Sequence, residues 1–118
     1  MYQIEFVELD DLVPFEKFVN SITINETAKV FASFDKFIDL KNNNLPVKEN
    51  LSKSLDDGIF EIRVSLPNKI VRSLYYYVSG KKIIITHGFI KKSQKTPNAE
   101  ITKAKELRKL YNKRKSYD

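Results

Sequence analysis

Residues 59–90 contain three consecutive strand-like segments that are separated only by short turn signals. The segments, each with the turn signal before it, are Ile59–Leu66 after Asp57-Gly58, Lys69–Val78 after Pro67-Asn68, and Lys82–Ile90 after Ser79-Gly80. Turns this short join antiparallel neighbours, whereas parallel neighbours need a crossover of about a dozen residues or more. The sequence therefore predicts an antiparallel meander in the second half of the chain.

The first half of the chain predicts one strand and two helices. Tyr2–Leu9 alternates apolar and polar residues, as a half-buried strand does. Pro14 is suited to the first turn of a short helix. Thr23 and Glu26 have the spacing of a capping box, which starts a longer helix of roughly Glu26–Leu40. The apolar stripe of this longer helix consists of Val30, Phe31, Phe34, Phe37 and Ile38.

The remaining segments complete the predicted order of elements. Residues 42–54 are polar, lack periodicity and indicate a connection without secondary structure. Thr96 is expected to cap a last helix with Pro97 in its first position. The order β-α-α-β-β-β-α predicts an α+β fold, a small antiparallel β-sheet with helices packed on it. At 118 residues, the chain is expected to form a single domain, residues 1–118.

The composition excludes several classes of protein. The chain has no cysteine and one histidine, so disulfide frameworks, thiolate zinc sites and cysteine nucleophiles are excluded. It has neither a Walker loop nor a G-x-G-x-x-G motif. No apolar run approaches the roughly 20 residues that a membrane span needs, and the N-terminus is acidic where a signal peptide is basic. We therefore expect a soluble cytoplasmic protein with no membrane contact.

The basic charge is concentrated in one part of the chain. The net charge of +6 is the sum of −4 over residues 1–44 and +10 over residues 45–118. Such an asymmetry indicates a surface that binds a polyanion. For residues 103–115 alone, a solvated lysine-rich helix is the simpler interpretation, but it does not account for the whole basic half.

Two arginines lie within the predicted strands. Arg63 falls on the more polar face of its strand, and Arg72 interrupts an apolar face, where a charge is costly unless it is paired or solvated. An ion pair between Arg72 and Glu61 on the neighbouring strand is one explanation, and a functional role is another. The two explanations are compatible.

The stretch THGFIKKSQKTP, residues 86–97, joins the last strand to the last helix. His87 is expected on one strand face with Ile83, Ile85 and Phe89, where a buried core histidine is the simpler interpretation. Gly88 indicates either a bulge or a close approach by another group. The lysines Lys91, Lys92 and Lys95 precede a helix N-terminus, a combination that suits a phosphate group. A solvated loop is the alternative.

Three blocks of this region resemble a known family: LDDGIFEIRVSL, KIVRSLYYYV and KKIIITHGFIKKSQKTPNAEITKAKEL. They are similar to the phage-derived branch of the HigB/RelE toxin family, most specifically in HGFIKKSQKTPNAEI, and the likeness is strong over residues 55–104. The resemblance implies a RelE-like fold and a toxin of a type II toxin–antitoxin system. It also implies ribosome-dependent mRNA cleavage, by 2′-OH attack on the phosphodiester and without a metal or other cofactor. The expected partners are mRNA on the ribosome and a cognate antitoxin, often of the helix-turn-helix type.

The resemblance also implies a site made of basic residues on the sheet. The expected catalytic residues are Arg63, Arg72, Lys91, Lys92 and Lys95. The expected RNA-binding residues are Lys69, His87, Tyr75, Tyr77 and Lys103, since tyrosine rings can stack on bases. The general base and acid are left open. Two alternatives also remain open, a non-catalytic RNA- or ribosome-binding module and a gyrase-poisoning relative of the same superfamily.

Overall fold

The predicted meander forms the centre of a five-stranded sheet in the computed structural model, which describes residues 1–91 and 93–117. The elements are β1 Gln3–Phe6, α1 Pro14–Val19, α2 Ile24–Asn42, β2 Ser52–Asp56, β3 Ile59–Leu66, β4 Lys69–Val78, β5 Lys82–Lys91 and α3 Asn98–Lys115. The strand order is β1-β5-β4-β3-β2. Within the described residues, β1 and β5 pair in parallel, and the other strand pairs are antiparallel. The predicted α+β fold is thus confirmed.

One strand was not predicted from the sequence. The segment Ser52–Asp56 lies within and just beyond the predicted polar connection, yet it pairs with β3 as an edge strand, β2. Its sequence, SKSLD, has a single large apolar residue and so lacks the alternation from which strands are predicted. The prediction of a structureless connection over residues 42–54 is therefore wrong at its end.

The helices cover the two faces of the sheet separately. α1 and α2 pack on one face, and Phe31 of the predicted stripe lies at the rim with 40% of its surface exposed. α3 packs on the other face through an apolar stripe of Ile101, Ala104, Leu107 and Tyr111. The buried residues of the first layer include Phe15, Val30, Phe34, Phe37, Ile62 and Tyr75. Among the described residues, no helix combines the length and the apolar character needed to cross a bilayer.

A bulge at Thr86 changes the direction of the side chains along β5. Ile85 pairs with Tyr75 and His87 pairs with Leu74, which leaves Thr86 as an extra residue. Its hydroxyl donates a hydrogen bond to the Leu74 carbonyl oxygen (3.2 Å). A bulge shifts the alternation of the strand by one residue. The prediction that Ile83, Ile85, His87 and Phe89 share one face is therefore wrong: the first two face α1 and α2, and Phe89 faces α3.

Gly88 allows α1 to approach β5 closely, which was one of its two predicted roles. A Cβ atom at this position would lie 2.5 Å from Cδ2 of Phe18 and 3.1 Å from Cε1 of Phe15. Such distances are too short for non-bonded carbon atoms. The absence of a side chain at Gly88 thus sets how α1 sits on the sheet.

Glu5 of β1 attaches the end of α3 to the sheet. Its carboxylate accepts hydrogen bonds from the hydroxyls of Tyr111 and, at 3.1 Å, Tyr117. Burial acts to raise the pKa of Glu5, but these hydrogen bonds and the nearby Lys115 and Lys82 outweigh it, so that the pKa lies below its ordinary value of 4.5. The charged form of Glu5 is therefore the one that stabilises the fold.

The close contact at Gly88 predicts that Gly88→Ala destabilises the protein. Over-packing of this kind typically costs about 1–3 kcal/mol. Urea denaturation of the wild type and the variant measures the change in unfolding free energy. Adding Phe18→Leu should recover part of the loss, because the shorter side chain leaves room for the new methyl group. An unchanged denaturation midpoint in Gly88→Ala would contradict this packing.

The Glu5 cluster predicts an acid-sensitive contribution to stability. Because the folded-state pKa of Glu5 is depressed, the contribution is present above about pH 4.5 and is lost as the pH falls through the depressed value. Urea denaturation at about pH 6 and about pH 3 should therefore show a smaller pH-dependent loss of unfolding free energy in Glu5→Gln than in the wild type. Glu8→Gln, which alters an exposed carboxylate nearby, is the control, and equal effects of the two substitutions would contradict the assignment.

Candidate nucleic-acid interface

Arg63 of β3 and Arg72 of β4 are directly opposite each other in the sheet. Both side chains lie on the face of the sheet that α3 covers, next to the start of that helix. Both were predicted from the sequence to be catalytic residues. Like charges at opposite positions of a strand pair are destabilising. Glu61, two residues before Arg63 and on the same face, supplies the opposing charge.

Arg72 is fully buried beneath the segment that joins β5 to α3. Its guanidinium donates hydrogen bonds to the Thr96 hydroxyl (3.3 Å) and to the Ser93 carbonyl oxygen. The Thr96 hydroxyl in turn donates to the Glu61 carboxylate. The predicted Arg72–Glu61 contact is therefore made through Thr96. Burial lowers the pKa of Arg72, an effect that the Glu61 carboxylate opposes and the neighbouring Arg63 adds to.

This arrangement corrects two predictions. Arg72 has no exposed surface, so in this structure it holds the connecting segment and does not reach a substrate. Thr96 does not cap α3, because its hydroxyl is committed to the buried charges. Pro97 occupies the N-cap position and α3 begins at Asn98.

Arg63 keeps contact with solvent. Its side chain is 13% exposed and its Nε lies 3.4 Å from a Glu61 carboxylate oxygen. Its Nη2 donates a hydrogen bond to the Gln94 side-chain oxygen (3.0 Å). The guanidinium is thus held in place on one side and open on the other, as a phosphate-binding arginine requires.

The segment that contacts Arg63 through Gln94 carries lysines, as predicted. Lys91 and Lys95 are exposed, and Lys92, the third predicted lysine, lies outside the described residues. A cleft between β2 and the start of α3, called the β2–α3 cleft below, is lined by Lys53, Leu55, Gln94, Lys95, Thr96 and Lys105. Lys105 is paired with Asp56 (2.6 Å). The cleft and Arg63 together form a concave basic surface, which attracts polyanions.

Lys53 was not among the residues predicted from the sequence. It belongs to β2, the strand that the sequence pattern did not reveal. Its position in the cleft follows from the pairing of β2 with β3, in which Lys53 lies opposite Glu61. A lysine in a polar stretch of sequence does not by itself indicate a binding site.

His87 is a buried core residue, as the simpler interpretation had it. The bulge at Thr86 turns it toward α3, where it is 3% exposed. Its Nε2 lies 3.0 Å from a Glu100 carboxylate oxygen and its Nδ1 lies 3.1 Å from the Thr86 hydroxyl. Burial lowers the pKa of His87, although Glu100 acts to raise it. Its predicted contact with RNA is not supported, since the ring is enclosed.

The structure separates the other predicted RNA-binding residues from Arg63. Lys69, Tyr75 and Tyr77 lie on the opposite face of the sheet, with α1 and α2, because they alternate with Arg72 along β4. Tyr75 is 1% exposed, and Lys69 is paired with Glu26 of α2 (2.5 Å). Lys103 is exposed on α3. The expectation that Tyr75 stacks on a base is therefore wrong for this conformation.

Comparison with known families gives one match. Residues 17–109 match the model of a family described as "Phage derived protein Gp49-like (DUF891)". The matched range extends from α1 to α3 and includes every strand except β1. A search of curated proteins gave no match.

The bridging role of Thr96 predicts different effects for two substitutions. Thr96→Val keeps the shape of the side chain but removes the hydroxyl that joins Arg72 to Glu61, leaving buried charges with fewer partners. A lost hydrogen bond to a charged group costs about 1.5–3 kcal/mol. Thr96→Ser keeps the hydroxyl and should cost less. Chemical denaturation of both variants measures the difference, and a Val variant as stable as the Ser variant would refute the bridge.

Proposed function

The chain belongs to the phage-derived Gp49-like family, and on this basis we propose that it is the toxin of a type II toxin–antitoxin system that cleaves mRNA on the ribosome. The concave basic surface around Arg63 is the observation that carries the proposal. The resemblance of residues 55–104 to the HigB/RelE toxins supports the same interpretation, because two of the basic residues that it implicates, Arg63 and Lys95, belong to this surface.

The proposed reaction needs only phosphate stabilisation and proton transfer. The 2′-OH of a nucleotide loses its proton and attacks the adjacent phosphorus, and the bond from phosphorus to the 5′-oxygen breaks. The products are a 2′,3′-cyclic phosphate and a free 5′-OH, which takes up a proton. Arg63 is assigned to the charge that develops on the phosphate oxygens, since its planar guanidinium matches their geometry.

Proton transfer is assigned to the lysines of the β5–α3 segment and not to His87. The imidazole of His87 is buried and engaged at both nitrogens, whereas Lys91 and Lys95 are exposed and Lys95 follows Gln94, which contacts Arg63. Lys92 stays a candidate on the strength of the sequence. On the ribosome the mRNA would already be held in place, which supplies much of the orientation that such an open site lacks.

The proposed partner in the resting state is a cognate antitoxin, of the helix-turn-helix type that the resemblance implies. A toxin that acts on an essential process must be neutralised until it is needed. A small neighbouring gene for a helix-turn-helix protein, whose product binds this chain and blocks cleavage, would agree with this assignment.

Arg63→Ala and Lys95→Ala should abolish or strongly reduce mRNA cleavage in a translating extract. The loss expected for Arg63→Ala is about 100- to 1000-fold, by analogy with removal of an oxyanion-hole donor. Primer extension on a defined mRNA measures the cuts, with and without ribosomes. Lys113→Ala, which removes an exposed charge near the far end of α3, is the matched control.

Arg72→Ala separates a positioning role from a catalytic one. Because Arg72 is buried, its loss should lower the unfolding free energy as well as the activity, whereas Arg63→Ala should leave the fold intact. Wild-type protein that binds ribosomes but leaves mRNA and translation intact would instead indicate a non-catalytic binding module. Growth arrest with a DNA-damage response and intact mRNA would point to gyrase.

A further inference from the structure

A second basic depression adjoins Arg63 on the other side of the sheet edge. It lies between α2 and the end of β3 and is called the α2–β3 trough below. Its lining includes Lys29, Ser33, Lys36, Asn50, Arg63 and Ser65. Arg63 is the residue that the trough shares with the basic surface described above, because β2 pairs with β3 only up to Ile62 and leaves the end of β3 open.

Of the three cations that line the trough, Arg63 is paired with Glu61, whereas the two lysines have no carboxylate partner among the described residues. In the described part of the chain, neither Lys29 nor Lys36 takes part in an ion pair. The acidic residue near the start of the same helix, Glu26, is occupied by Lys69 at 2.5 Å. The lining of the trough therefore has a net positive charge, and its residues come about equally from the acidic residues 1–44 and from the basic remainder of the chain.

The geometry places Lys29 and Lys36 in one row. They are seven residues apart on α2, which is about two helical turns, so they point to the same side and lie about 10 Å apart along the helix axis. Ser65 at the end of β3 is exposed and can donate a hydrogen bond to a ligand oxygen atom, whereas the buried Ser33 hydroxyl already donates to the Val30 carbonyl oxygen (2.5 Å). Two aligned cations with a hydroxyl donor beside them suit the phosphates of a single strand and carry no sequence preference.

We infer that the α2–β3 trough binds the sugar–phosphate backbone of the RNA strand next to the cleaved phosphate. The strand would cross the sheet edge at Arg63, with the trough on one side and the β2–α3 cleft on the other. This inference rests on the proposed function, since it extends the substrate beyond the reacting phosphate. It assigns Lys29 and Lys36 to substrate binding and not to the chemical step.

The test compares two double variants of equal charge. Lys29→Gln/Lys36→Gln removes the two lysines of the trough and keeps Arg63, and Lys17→Gln/Lys113→Gln removes two exposed cations elsewhere. Binding of a short single-stranded RNA is measured by fluorescence anisotropy over a range of salt concentrations. Each lost phosphate contact should reduce the salt slope by about 0.7, so the trough variant should lose about 1.4 and the control almost nothing. Thermal melting checks that both variants are folded.

The outcomes distinguish the inference from the proposed function. The inference is supported if the salt slope falls in the trough variant alone. That variant should also bind the RNA more weakly and still cut mRNA at high protein concentration. Equal slopes in the trough variant, the control and the wild type overturn it while leaving ribosome-dependent cleavage untouched. Wild-type protein that binds no single-stranded RNA even at low salt also overturns it. Absence of cleavage by the wild type overturns the proposed function, whatever the slopes show.

Discussion

The burial of Arg72 in the sheet is the constraint on which the rest of the structure depends. A guanidinium group cannot be left without partners away from water, and the strands alone do not provide enough of them. The segment after β5 therefore folds back across the sheet and supplies the Ser93 carbonyl and the Thr96 hydroxyl. That return fixes where α3 begins, and with it the position of the helix on the sheet.

Arg63 and Arg72 have different roles because the connecting segment covers one of them and not the other. They occupy opposite positions of one strand pair, but only Arg72 is covered by the connecting segment. Glu61 lies on the same face of the sheet and offsets the charges of both arginines. This reduces the electrostatic repulsion between Arg63 and Arg72. A buried cation thus supports the position of a partly exposed one, and Lys95 of the same segment is exposed at the surface.

The meander and the helices could be predicted from the sequence, because they follow from the alternation of apolar residues and from helix-capping residues. The difference in charge between the two parts of the chain can be read directly from the sequence. The capping box at Thr23 and Glu26 formed as predicted. β2 was not predicted because its sequence contains a single large apolar residue. The bulge at Thr86 was not predicted, because one extra residue in an apolar run leaves its composition unchanged. The bulge places His87 on the opposite face of the sheet from the predicted one. The burial of Arg72 depends on a segment over 20 residues away, which alternation within one strand cannot reveal.

The parallel pairing of β1 with β5 has a consequence for synthesis of the chain. β1 lies at the sheet edge and its partner strand is β5, while α1 rests on Gly88 of that same strand. At about 5–20 residues per second, these N-terminal elements wait on the order of 4–16 s for their partner. During that interval their aromatic side chains have no sheet to cover them. The first aromatic cluster of the chain is therefore completed only when most of the chain has been synthesised.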